Sequence, residues 1–143
     1  MGYTSMVWGQ IEINPPLTWA QAKDHPFRMP DDDDAKWSPA LSLAMRERDQ
    51  EVDQGVLHVK EAVAVHYAWG KPGKCHDVVE ELQRIVDLAG PGHTFTGALE
   101  GTGEDFGDIW LLRVIDGRAV RWLPTITWPD GTELVNNRYR DGK

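Results

Sequence analysis

The sequence predicts a small α+β domain, a single antiparallel sheet with two helices on one face in the order β-α-β-β-α-β-β-β. Three observations predict it. Short apolar runs at 95–99, 109–115 and 120–123 follow one another, separated by the glycine-rich stretch Gly101 to Gly107 and by Asp116-Gly117. Asp-Gly between two such runs tolerates the positive φ values that a tight hairpin needs. Residues 57–67 alternate in the manner of a long strand. Val78, Val79, Leu82, Ile85, Val86 and Ala89 recur at helical steps and are followed by the helix-ending pair Gly90 and Pro91.

The elements follow in order. In residues 3–13, Val7, Gly9, Ile11 and Ile13 share one face and Trp8, Gln10 and Glu12 the other, which is a half-buried strand. Asn14-Pro15-Pro16 is expected to end it, because proline has no N–H for a sheet ladder. Thr18 and Gln21 then have the spacing of a capping box, opening a short helix to about Asp24 that Pro26 stops. Residues 27–39, with Asp31, Asp32, Asp33 and Asp34 in a row, have no apolar period and read as an exposed loop. Leu41, Leu43 and Met45 alternate with Ser42, Ala44 and Arg46 in a strand to about Arg48, and the polar 49–55 segment turns the chain back.

In the third strand Leu57, Val59, Val63, Val65 and Tyr67 are expected to face one way and His58, Lys60, Ala62, Ala64 and His66 the other. With Ile11 and Ile13, the first set should line the sheet face that Val78, Leu82, Ile85 and Val86 cover. The first six elements match the split βαβ plan of ferredoxin-like domains, and the added hairpin enlarges the sheet. Trp122, Pro124, Ile126 and Trp128 extend the last strand, with Pro124 favouring an edge or a bulge. Residues 1–135 form one domain, and 136–143 a polar tail.

Composition narrows the function classes. A chain of 143 residues can bury about 70% of its unfolded surface without staples. Cys75 is the single cysteine, so no disulfide can form within the chain. The N-terminal residues lack the charged and apolar regions of a signal peptide, and no apolar run reaches membrane-spanning length. A cytoplasmic protein with no membrane partner is the expectation. The net charge of −8 disfavours general nucleic-acid binding. Seven tryptophans exceed what a core this size requires, and Trp is favoured at partner surfaces.

Few constellations carry chemistry. Gly70, Lys71, Gly73, Lys74 and His76 form a strand-to-helix loop whose free amides and lysines suit an anion. A nucleotide-hydrolysing phosphate loop is disfavoured there, because Ala68 and Cys75 stand where that pattern needs Gly and Ser or Thr. Cys75 and His76 are adjacent, which on a helix points them apart and leaves the thiol without a base. Glu100, Glu104, Asp105 and Asp108 crowd a turn but do not have calcium-loop spacing. His58 and His66 are too far apart along one strand to share a metal. Neither a catalytic residue, a metal site nor a cofactor is expected.

Gly2-Tyr3-Thr4 and the run from Gly9 to Trp19, with the later block from Gly103 to Trp110 and Asp116-Gly117, resemble a family of uncharacterised small proteins from actinomycetes and their phages. The resemblance implies a compact accessory protein and transfers no catalytic residue. Together these readings favour a non-enzymatic module that binds another protein through Trp8, Trp37 and the aspartates 31 to 34, in a host-modulating or defence-related role. Two alternatives stand beside it: a small-molecule or anion-binding protein, or enzyme, using the 70–76 loop, and an acidic mimic of DNA. Oligomeric state is not legible.

Overall fold

Alternation, capping and turn chemistry produce the elements in the expected order. The computed structural model describes residues 5–32, 37–68, 77–105 and 107–134. Its elements are β1 (Met6–Leu17), α1 (Trp19–Ala22), β2 (Leu41–Val52), β3 (Gly55–Tyr67), α2 (Val78–Ala89), β4 (Thr94–Thr102), β5 (Ile109–Ile115) and β6 (Arg118–Trp122). They form one six-stranded antiparallel sheet in the order β2-β3-β1-β4-β5-β6. Because β3 lies between β1 and β2, the first four strands have the split βαβ arrangement, with the β5–β6 hairpin added beyond β4.

Local signals act where expected. Thr18 accepts from the Gln21 amide at 3.2 Å while the Gln21 side chain accepts from the Thr18 amide at 3.0 Å, which completes the capping box. Asp116 and Gly117 have φ of 52° and 78°, the paired positive values of a tight hairpin, and join Ile115 to Arg118. Gly101 serves a different need. It pairs with Trp110 across β4 and β5, and a Cβ there would collide with the Trp110 ring, which lies across it.

One core forms between the helices and one face of the sheet. Ile11, Leu17, Leu41, Val65, Leu99 and Leu112 are fully buried against Val78, Leu82 and Ile85 of α2, and Ala22 of α1 joins the same cluster. Fully burying each Leu or Ile is worth roughly 1.5–3 kcal/mol, so α2 is anchored chiefly by its apolar stripe.

Four expectations are corrected. The strand face containing Leu57, Val59, Val63 and Val65 is not continuous, because β3 carries a bulge. Leu43 pairs with Val65, Ala44 with Ala64, and Met45 with Ala62, so Val63 is skipped and Ala62 takes the core position. Val63 instead lines a polar groove with Gln10, Glu12 and Thr96 on the opposite face. Leu57 and Val59 lie beyond the last β1–β3 pair, Leu17 with Ala62, in a two-stranded ribbon that projects from the sheet, and Leu57 is 52% exposed. Third, β1 continues to Leu17 past Asn14, with the Asn14-Pro15 peptide cis, and the β2–β3 turn contracts to Asp53-Gln54. Fourth, β6 stops at Trp122. Residues 126–134 fold on themselves instead, with Leu134 N–H bonded to the Ile126 carbonyl at 2.7 Å and Trp128 N–H to that of Thr132 at 2.7 Å. The expected 136–143 tail lies outside the described residues.

Candidate functional site: the outer face of the sheet

The same alternation that buries Ile11 and Ile13 turns Met6, Trp8, Gln10 and Glu12 to the sheet face opposite the helices. Strand pairing then assembles a row that no single segment encodes. Trp8 on β1 pairs with Glu100 on β4, Glu100 with Leu111 on β5, and Leu111 with Trp122 on β6. Directly opposed residues on neighbouring strands share a face about 5 Å apart, so these four side chains stand side by side across four strands. The next row holds Met6, Thr102 and Ile109. Beside them Leu111, Trp122, Leu123 and Pro124 line a shallow pocket of about 240 Å³ with Ile109 and Glu100.

The part of this face that β1, β4, β5 and β6 present is largely apolar and open. Trp8 is 51% exposed, Trp122 46% and Leu123 70%, and Met6 and Ile109 are exposed beside them. Glu100 contributes a solvent-facing carboxylate to the row. At one end, the Arg113 guanidinium lies 5.0 Å from the centre of the Trp122 ring, a cation–π contact. The polar groove formed by Gln10, Glu12, Asn14, Arg46, Val63 and Thr96 lies on this face as well.

Several charged groups elsewhere form structural pairs. Glu61 accepts from Arg46 at 2.9 Å and from Arg48, and these bonds hold its carboxyl below the usual range. His58 places its two ring nitrogens 2.9 Å from Glu47 and from Asp49, and both carboxylates raise its pKa. His25 accepts from the Phe27 amide at 3.0 Å through Nδ1, so its proton sits on a buried Nε2, and burial and Arg84 lower its pKa. Burial also lowers that of His66. His93 bridges the Pro15 carbonyl, at 2.6 Å, and Gln21. His66 stands opposite the buried Ser42 across β2 and β3, with no hydrogen bond to the Ser42 hydroxyl, and no group of three potential metal ligands occurs among the described residues.

The residues singled out from sequence fall in different places. Trp8 lies on the outer face, as its alternation required. Asp31 and Asp32 are exposed, with Asp31 3.8 Å from Arg28. Trp37 is half-buried with its indole nitrogen enclosed. Asp33, Asp34 and the whole loop containing Gly70, Lys71, Gly73, Lys74 and His76 lie outside the described residues. Glu100, Leu111 and Trp122 were missed as a group, although alternation around Leu99 and Leu112 already placed Glu100 and Leu111 opposite the core.

Comparison with known proteins adds one fact. The model of the family of unknown function DUF6205 matches residues 1–137, spanning the middle of the chain as well as both blocks that carry the resemblance. The chain belongs to this family. No curated protein and no solved structure matches it. Membership in DUF6205 assigns no activity, so the functional reading rests on the geometry of the outer face. No helix among the described residues is long and apolar enough to cross a membrane.

Proposed function

We propose that this chain is a protein-binding module that docks its partner on the outer face of the sheet, with Trp8 at the β1 end of the contact. The observation that carries this reading is the clustering of exposed apolar side chains on the half of the outer face that β1, β4, β5 and β6 present: Met6, Trp8, Ile109, Trp122 and Leu123. Soluble domains rarely leave a contiguous apolar patch uncovered unless something binds there. Tryptophan dominates the energetics of such contacts. The acidic charge, with Asp31 and Asp32 exposed, favours a basic partner and gives it a salt-dependent approach. The accessory role in host modulation or defence implied by the resemblance belongs to this reading.

The test is affinity capture from a lysate of the source organism with the wild-type chain and with Trp8→Glu, followed by mass spectrometry. Trp8 is exposed, so the variant is expected to keep the wild-type melting temperature while losing the partner. A partner held equally by both proteins would move the contact off this face.

A further inference from the structure

The outer face also carries a charge pattern that narrows the partner's chemistry. Two exposed tryptophans in the sheet and helix framework already have cations on their rings. Trp19 has the Lys60 ammonium at 4.6 Å and the Arg28 guanidinium at 5.3 Å, and Trp122 has Arg113 at 5.0 Å. Trp8 is more exposed than either and has no cation over its ring among the described residues. Its cross-strand neighbour is Glu100, which forms no ion pair among the described residues. Trp128, also exposed, differs, because it sits in the 126–134 turn, where the nearby Asp130 carboxylate accepts from the Thr132 hydroxyl at 2.6 Å and amide at 2.9 Å.

We infer that Trp8 and Glu100 together form a seat for an arginine side chain of the partner protein, the guanidinium stacking on the indole and pairing with the carboxylate. This inference rests on the docking reading above and names what that face selects. A planar guanidinium suits the pair better than an ammonium, since it can stack on an aromatic face while its N–H fork meets a carboxylate. The apolar surroundings make the contact stronger, because Leu111 adjoins Glu100 and Met6 and Ile109 fill the next row, so a bound cation is partly shielded from water. Leu111 stands between Glu100 and Trp122, whose ring Arg113 covers, so the intramolecular cation does not occupy the seat. The net charge of −8 attracts the same partner over longer range.

The experiment uses the full chain labelled with ¹⁵N. It is titrated at low salt with the peptide acetyl-Gly-Ser-Arg-Ser-Gly-amide and with the same peptide carrying citrulline, which keeps the shape of arginine and removes its charge. The Trp8 indole signal is assigned by its loss in Trp8→Leu. The expected result is a saturable shift of the Trp8 indole and the Glu100 amide with the arginine peptide, weakened by added salt. Glu100→Gln and Trp8→Leu should each weaken the affinity about tenfold, the equivalent of a cation–π contact or a partly shielded ion pair.

Equal shifts with the citrulline peptide, or shifts spread over the surface without saturation at Trp8, would overturn the inference. So would sedimentation showing a dimer that Trp8→Leu dissociates, since a second copy would then cover this face. A captured partner that depends on Trp8 but is not displaced by the arginine peptide would refute the arginine seat and leave the docking reading standing. Saturable binding of the peptide at Trp8, with a captured partner indifferent to Trp8→Glu, would do the reverse.

Discussion

Gln83 on α2 and Ala119 on β6 are joined as if the helix were the next strand of the sheet. The Gln83 side-chain carbonyl accepts the Ala119 N–H at 2.8 Å, and its amide donates to the Gly117 carbonyl at 3.1 Å. Ala119 pairs with Val114 on its inner side, so this outward N–H belongs to a free sheet edge. A helix that satisfies such a group blunts the edge against pairing with another chain. At the opposite side of the sheet Glu81, two residues earlier on α2, accepts the Leu41 and Ala40 amides at 2.9 and 3.2 Å. One helix thus fastens both β2 and β6.

Replacing Gln83 with leucine removes both bonds and leaves the Ala119 N–H without its partner. A loss of about 1–3 kcal/mol is expected. Hydrogen exchange at the Ala119 amide should accelerate more than at the neighbouring Val120. Unchanged protection at Ala119 would show that the bond is not formed in solution.

The end of the β1–β3 pairing makes a sharp contrast between two leucines. Leu82 is fully buried and Leu57 is 52% exposed on the projecting ribbon. Leu82→Ala should cost about 2–5 kcal/mol, and Leu57→Ala should fall within about 0.5 kcal/mol of wild type. Denaturant midpoints measure both. Comparable losses would mean that the ribbon packs against something.

Burial raises the pKa of Glu81 above its usual 4.5, against the lowering effect of its two amide bonds. A carboxyl with a raised folded-state pKa stabilises fully below its unfolded value and loses that contribution as pH rises through the folded value. The melting-temperature difference between wild type and Glu81→Gln should therefore shift against wild type from about pH 4.5 upward. A difference that stays level across that range would show that Glu81 is not desolvated.

The His58 clasp has the opposite charge type and a higher window. Its bonds to Glu47 and Asp49 require both ring N–H groups, and they raise its pKa above 6.5. The pairing is complete below that value and is lost as pH rises through the raised one. All three side chains are exposed, so salt should weaken the effect. Amide exchange along 55–60 is expected to quicken with pH more in the wild type than in His58→Gln, once the intrinsic dependence is removed. The same pH dependence in both proteins would exclude the clasp.

Gly101 offers a test of the close packing between β4 and β5. Valine there must displace the Trp110 ring, which is 4% exposed. Overpacking of this kind costs about 1–3 kcal/mol. A red shift in tryptophan emission should accompany the loss, and unaltered emission and stability would show that the ring does not lie over Gly101.

The local sequence determined the element order, the capping box at Thr18, the Asp116-Gly117 hairpin and the buried stripe of α2, because each depends on residues a few positions apart. It also set which way Trp8 points relative to Ile11. Only the tertiary structure decided that β3 skips Val63 and puts Ala62 in the core, since a bulge arises from fitting β3 against both β1 and β2. The tertiary structure likewise placed Trp8, Glu100, Leu111 and Trp122 in one row. Their separation along the chain hides that row. Cross-strand neighbours are fixed by pairing register, a relation between segments that the side-chain pattern of either segment does not contain.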